Sequence, residues 1–173
     1  MPENLPEPWM RGPLQGIEPC VMPVFFTFQQ VREDVPHLLS GLTTEQIWLR
    51  LHGAASLGYH IKHMAGSADR LSTYLVGQEL TREQFAYLQQ EDTADLDSVA
   101  LEALLIRELE RVEARLRQVS PESLYEPRAV GRKKLPTTAL GLLVHISEHT
   151  QRHLGQATTT AKMLRYLAAH EAG

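Results

Sequence analysis

From Thr138 to Gln156 the chain reads TALGLLVHISEHTQRHLGQ, which sets His145, His149 and His153 four residues apart. An α-helix turns every 3.6 residues, so this spacing stacks three imidazoles along one stripe of a single helix. Leu143, Ile146, Thr150 and Leu154 run beside them and read as the buried side. Ser147, Glu148, Gln151 and Arg152 fill the rest of the circumference and read as solvated. Buried imidazoles in line are costly unless something bonds their nitrogens, and a divalent metal ion is one such partner. An HxxxH pair alone is weak evidence, because surface helices carry such pairs by chance.

Working outward, the rest of the chain supplies helices for this one to pack against. From Glu18 the pattern is helical, with Val24, Phe28, Val31 and Val35 at heptad-like spacing, and Pro36 is expected to kink or stop it near Asp34. A short turn from His37 to Leu39 then ends at Gly41. Thr43 to Ala55 holds a short helix and a loop. Ser56 is placed to cap a second long helix, whose apolar stripe runs through Leu57, Ile61, Met64, Ala68, Leu71 and Leu75 and which closes at Gly77. Residues 78–97 form a long connection containing a short helix from Thr81 to Gln90. Asp97 caps a third helix with Leu101, Leu105, Leu109, Val112, Leu116 and Val119 on its buried face, and Pro121 ends it. A polar linker with Arg128, Arg132, Lys133 and Lys134 leads to Thr137 or Thr138, the cap of the histidine helix, in which a break is expected near Gly155.

The expected fold is therefore all-α: a four-helix bundle with one long crossover and no sheet, its long helices near 18–33, 56–77, 97–118 and 137–158. Residues 1–16, rich in Pro, Glu and Gly, read as an extended N-terminal arm, and 17–170 as the bundle domain. Trp9, Phe25 and Phe85 are more apolar surface than a small bundle easily hides, which points to a homodimer packed through helices.

Composition removes several functional classes. The net charge is −4, with no face-long basic stripe, so nucleic acid is not an expected partner. Cys20 is the sole cysteine, which excludes a disulfide framework and a cysteine-rich zinc site. No apolar run reaches membrane-spanning length and the first residues, MPENLPEPWMRG, lack a signal-peptide core; a cytoplasmic protein without membrane contact is expected.

His149 and His153 can ligate one metal from adjacent turns, and a third ligand must come from another helix. The second helix offers His60 and His63. At 100° per residue His60 lies about 60° from the centre of the apolar stripe and His63 about 120°, so the helical pattern alone favours His60. Cys20 reads as a small buried hydrophobe, and no protein nucleophile is visible.

At these residues the sequence resembles a known family. SLGYHIKHMAGSADRLSTYLVGQEL, followed about eighty residues later by PTTALGLLVHISEHTQRHLGQ, is similar to the DinB-like (DinB/YfiT) metalloenzymes over about residues 15–165. The resemblance implies an up-down-down-up four-helix bundle with three histidines on one divalent metal ion, such as zinc, nickel or iron. Ser56 matches the helix-opening serine and His63-Met64-Ala65 the family's His-Leu-Ala, so the early ligand falls on His63 in place of His60. The late ligands fall on His149 and His153, the latter heading a His-Leu-Gly-Gln run. His145 has no ligand counterpart and is assigned, with His60, Arg70 and Tyr74, to the lining of the pocket; Arg70 is there to clamp a carboxylate or to pair on the surface.

Three imidazoles without a carboxylate leave coordination positions open, which fits catalysis on a small-molecule substrate. Family relatives are linked to transfer and isomerisation with low-molecular-weight thiols, so the resemblance implies a thiol as substrate or co-substrate. Two alternatives stay open: a non-catalytic, metal-stabilised interaction or stress-response protein, and a metal-free bundle that binds an apolar ligand.

Overall fold

The computed structural model describes residues 5–170, so the first four residues of the expected arm lie outside it. Six helices follow one another: α1 (Met22–Leu39), α2 (Thr44–Trp48), α3 (Leu57–Leu75), α4 (Arg82–Gln90), α5 (Ser98–Leu116) and α6 (Ala139–His170). The four long ones, α1, α3, α5 and α6, make the bundle. α3 packs chiefly on α6 and α5, and α1 packs on α6 and to a smaller extent on α5.

Their starts are written locally. Ser56 Oγ accepts from the Tyr59 amide at 3.1 Å, Asp97 caps α5 through the Ala100 amide, and Thr138 Oγ1 accepts from the Gly141 amide at 3.1 Å at the head of α6. Each bond occupies one of the amides that a helix start leaves without a partner. Thr43 and Thr81 form capping boxes with Gln46 and Gln84, which is how such short helices as α2 and α4 hold their first turn. Gly77, at φ 76°, closes α3 in a left-handed conformation that a side chain disfavours.

The apolar stripes meet along the middle of the bundle. Phe28 of α1, Ile61 and Met64 of α3, Leu101, Leu105 and Leu109 of α5, and Leu142, Leu143 and Ile146 of α6 are buried completely or nearly so. Side-chain contacts fix how the helices lie alongside one another. Thr27 bonds Ser147 at 2.6 Å, and Arg165 donates to the carbonyls of His37, Leu38 and Ser40, which ties α1 to α6 at two heights. Arg32 of α1 pairs with Glu113 of α5. Arg115 of α5 pairs with the buried Asp69 of α3. These contacts are compatible with the up-down-down-up order.

Trp48 locks the entry to α3. Its indole lies flat on Gly58, where a Cβ would come within 2.8 Å of the ring, and its Nε1 donates to the Leu96 carbonyl at 2.7 Å. One side chain thus joins α2, the start of α3 and the end of the crossover.

Four expectations need correction. A two-stranded antiparallel hairpin, β1 (Pro127–Val130) with β2 (Leu135–Thr138), occupies part of the stretch read as a polar linker. Four-residue strands are too short to show alternation, and proline is tolerated on the edges of such a ribbon. α1 runs on through Pro36 to Leu39, because the ring sits in the last turn and the Ser40 amide still reaches the Pro36 carbonyl at 3.0 Å. α6 is unbroken at Gly155: Leu154, Ala157, Ala161 and Leu164 continue its buried stripe at helical spacing. Phe25 is buried at 5 % exposure, with the Arg117 guanidinium over its ring, so it is not part of an apolar surface. Trp9, 62 % exposed, and Phe85, 37 % exposed, are. The N-terminal arm is tied to the bundle. Pro8–Met10 form a 3₁₀ turn, and Arg11 holds Glu33 of α1 through two bonds of 2.6 and 2.8 Å.

The packing at the centre sets an expectation for stability. Leu109→Ala removes a fully buried side chain and should lower the unfolding free energy by about 2–5 kcal/mol in urea titrations. Val99→Ala, at a position 75 % exposed, should change it by less than about 0.5 kcal/mol.

Candidate metal centre

Four histidines meet where α3 faces α6. His63 Nε2 lies 2.9 Å from His149 Nε2, and His60 Nδ1 lies 3.0 Å from His153 Nδ1. Residue numbers rise along α3 as they fall along α6, so one turn on each helix matches one turn on the other. One ring nitrogen from each of His63, His149 and His153 falls within 4.8 Å of the other two, a grouping that can hold a metal ion. The three are half-buried. His60 is more deeply buried, at 6 % exposure, and touches the group from outside through His153.

The surroundings favour neutral rings. Burial above all pushes His60 and His149 down to about 4 and His153 to about 3, and crowding against neighbouring imidazoles acts in the same direction. Neutral imidazole is the form that binds a metal. Among the described residues His149 Nδ1, which is buried, has no hydrogen-bond partner, so the cluster as it stands does not satisfy its own nitrogens.

Behind His63 stands a carboxylate. Glu91 closes α4 at 2 % side-chain exposure; its Oε2 is 2.7 Å from His63 Nδ1 and its Oε1 accepts from Arg70 Nη1 at 2.7 Å. Glycine at position 66 is what admits it. A Cβ there would lie 2.3 Å from Glu91 Oε1 and 2.4 Å from the Tyr87 ring, so any side chain would push α4 off α3. Tyr59, one helical turn before His63, stacks on that imidazole with centroids 5.2 Å apart and planes 13° from parallel.

The lining residues expected from the sequence fare unequally. Arg70 is buried and its Nη1 donates to Glu91, so the ion pair it makes is an internal one and not a surface one. Tyr74 is eleven residues beyond His63, about 16 Å along the helix axis, and packs against the core rather than beside the histidines. His145 is exposed, bonds Glu148 at 2.7 Å and touches His149 ring to ring at 5.2 Å, which makes it part of the rim. Two residues went unread. Tyr59 and His63 stand at i and i+4, a spacing that announces a stacked pair. Glu91 sits in the polar run Gln89-Gln90-Glu91-Asp92, where nothing local marks one acid as buried.

A model of the DinB superfamily matches residues 27–157. The chain belongs to the DinB superfamily. No curated protein matches it significantly. The span matched takes in α3, α4 and the part of α6 that carries the histidines, so every residue of the site lies within the DinB superfamily region.

The histidine environment gives a sign for acid stability. These rings bind protons more readily unfolded than folded, so the cluster's contribution is intact above about pH 6.5 and is lost as pH falls toward about 4. The urea midpoint of metal-free protein should therefore drop between pH 7 and pH 4.5, and His60→Gln should flatten that drop.

Proposed function

We propose that the chain is a metal-dependent enzyme in which His63, His149 and His153 hold one divalent cation and leave a coordination position to a small molecule. The grouping of three imidazole nitrogens within 4.8 Å, with no carboxylate among the donors, carries this reading. Ligands at about 2.0–2.1 Å in a tetrahedral site stand about 3.4 Å apart, a spacing between the 2.9 Å of the His63–His149 nitrogens and the 4.8 Å that bounds the group, so small ring movements suffice. Imidazole donors suit zinc, nickel or iron, and three of them leave the shell incomplete.

A bound divalent cation would lower the pKa of a coordinated thiol or water and polarise a carbonyl. The residues around it prepare the place. Tyr59 covers one face of His63, and Glu91 holds its Nδ1 side. Arg152 and Glu148, paired on the exposed side of α6, stand between His145 and His153 at the rim. Beside His60 and Arg152 a groove of about 590 Å³ runs past Ala54, Ala55, Gly155 and Met163, with room for the apolar body of a substrate. The reaction class we favour is transfer from, or isomerisation assisted by, a low-molecular-weight thiol, as DinB-like resemblance implies. Among the described residues no helix is long and apolar enough to cross a membrane, and we place the protein in the cytoplasm. A homodimer, covering the exposed Trp9, is the assembly we expect.

X-ray absorption on zinc-loaded protein tests the open position. The account expects three imidazoles plus light, exchangeable scatterers, with a sulfur scatterer appearing when a thiol is added. Four protein ligands, unchanged by thiol, would instead support a metal that only staples helices. Saturation at 100 times the dissociation constant should raise stability by about 2.7 kcal/mol.

A further inference from the structure

The bonds behind His63 have a direction that the chemistry of one member dictates. Arg70 can only donate, so Glu91 Oε1 must accept from it. A carboxylate held by that guanidinium has only lone pairs to offer, so Glu91 Oε2 accepts as well and His63 carries a proton on Nδ1. A neutral His63 protonated there has a bare Nε2, the atom that faces His149 at 2.9 Å. We propose that Arg70 and Glu91 are positioning residues that fix His63 in the Nδ1–H tautomer and so present its Nε2 lone pair to the group formed with His149 and His153. The inference deepens the metal reading and rests on it for its purpose, though the tautomer exists without metal.

Several features confine this role to Glu91. The carboxylate is 2 % exposed, so water does not compete for it. Gly66 leaves the space it occupies. The neighbouring chain is held by other bonds: Lys62 Nζ donates to the carbonyls of Gln90 and Thr93 and to Asp95, and Tyr87 Oη donates to the Lys62 carbonyl. Changing Glu91 therefore alters the polarity behind His63 without releasing the crossover.

Glu91→Gln makes the argument sharp. Arg70 still donates, so the amide oxygen must turn toward it and the NH2 must turn toward His63. His63 then accepts on Nδ1 and carries its proton on Nε2, where a metal would have to bind. The substitution reverses the bond instead of deleting it, whereas Glu91→Ala deletes it.

Long-range proton–nitrogen NMR on metal-free protein labelled at histidine reads the tautomer directly. Wild type should show Nδ1–H at His63, Glu91→Gln should show Nε2–H, and Glu91→Ala a mixture. Zinc affinity, from competition with a chromophoric chelator, should fall about 10–100-fold in Glu91→Gln. Wild-type His63 in the Nε2–H form overturns the proposal, whether or not either variant folds. So does a Glu91→Gln protein with unchanged tautomer and unchanged zinc affinity. Wild type that shows the Nδ1–H tautomer but takes up no zinc refutes the metal reading while the assignment to Arg70 and Glu91 stands.

Discussion

Imidazoles placed between two packed helices must have their nitrogens bonded, because an unpartnered polar atom out of water costs about 1–3 kcal/mol. The α3–α6 interface is arranged around that requirement. Two ring-to-ring contacts, His63 with His149 and His60 with His153, satisfy part of it, yet among the described residues His149 Nδ1 stays without a partner. Burial and mutual repulsion also keep three of the rings neutral, which removes the other escape, protonation. A cluster of neutral donors that do not fully satisfy one another is suited to an electrophilic ion.

The crossover between α3 and α5 is as much a part of this site as the bundle helices. It brings Glu91 to the back of His63 and is seated there by Gly66, Lys62 and Tyr87. Trp48 on Gly58 fixes the other end of the same connection. Small residues on α3 thus act as notches for the connection, and the polar residues between them bind it. This explains why α3 buries so many polar groups, Lys62, Asp69 and Arg70 among them, on faces turned away from the apolar stripe.

How much of this was legible in the sequence follows from the range of each signal. Caps and helical periodicity are local, so the four long helices, the crossover and the starts at Ser56, Asp97 and Thr138 could be read directly. The hairpin could not, since four-residue strands carry no period. The choice between His60 and His63 shows a subtler limit. The angular argument correctly finds His60 more buried, but burial measures distance from the core, and the group that converges with His149 and His153 is built from the flank. Family resemblance pointed to His63 where periodicity pointed away. Glu91 and the true use of Arg70 depend on a contact across twenty-one residues of chain, and no local pattern encodes it.

The claim on which the account stands is that three particular imidazoles, out of the five on this face, hold the ion. Metal content by inductively coupled plasma analysis of untagged protein, in wild type and in the alanine variants of His60, His63, His145, His149 and His153, tests it most directly. One equivalent is expected in wild type, in His145→Ala and, slightly reduced, in His60→Ala, with most of it lost when His63, His149 or His153 is replaced. A site emptied by His60→Ala and still full in His63→Ala would contradict it.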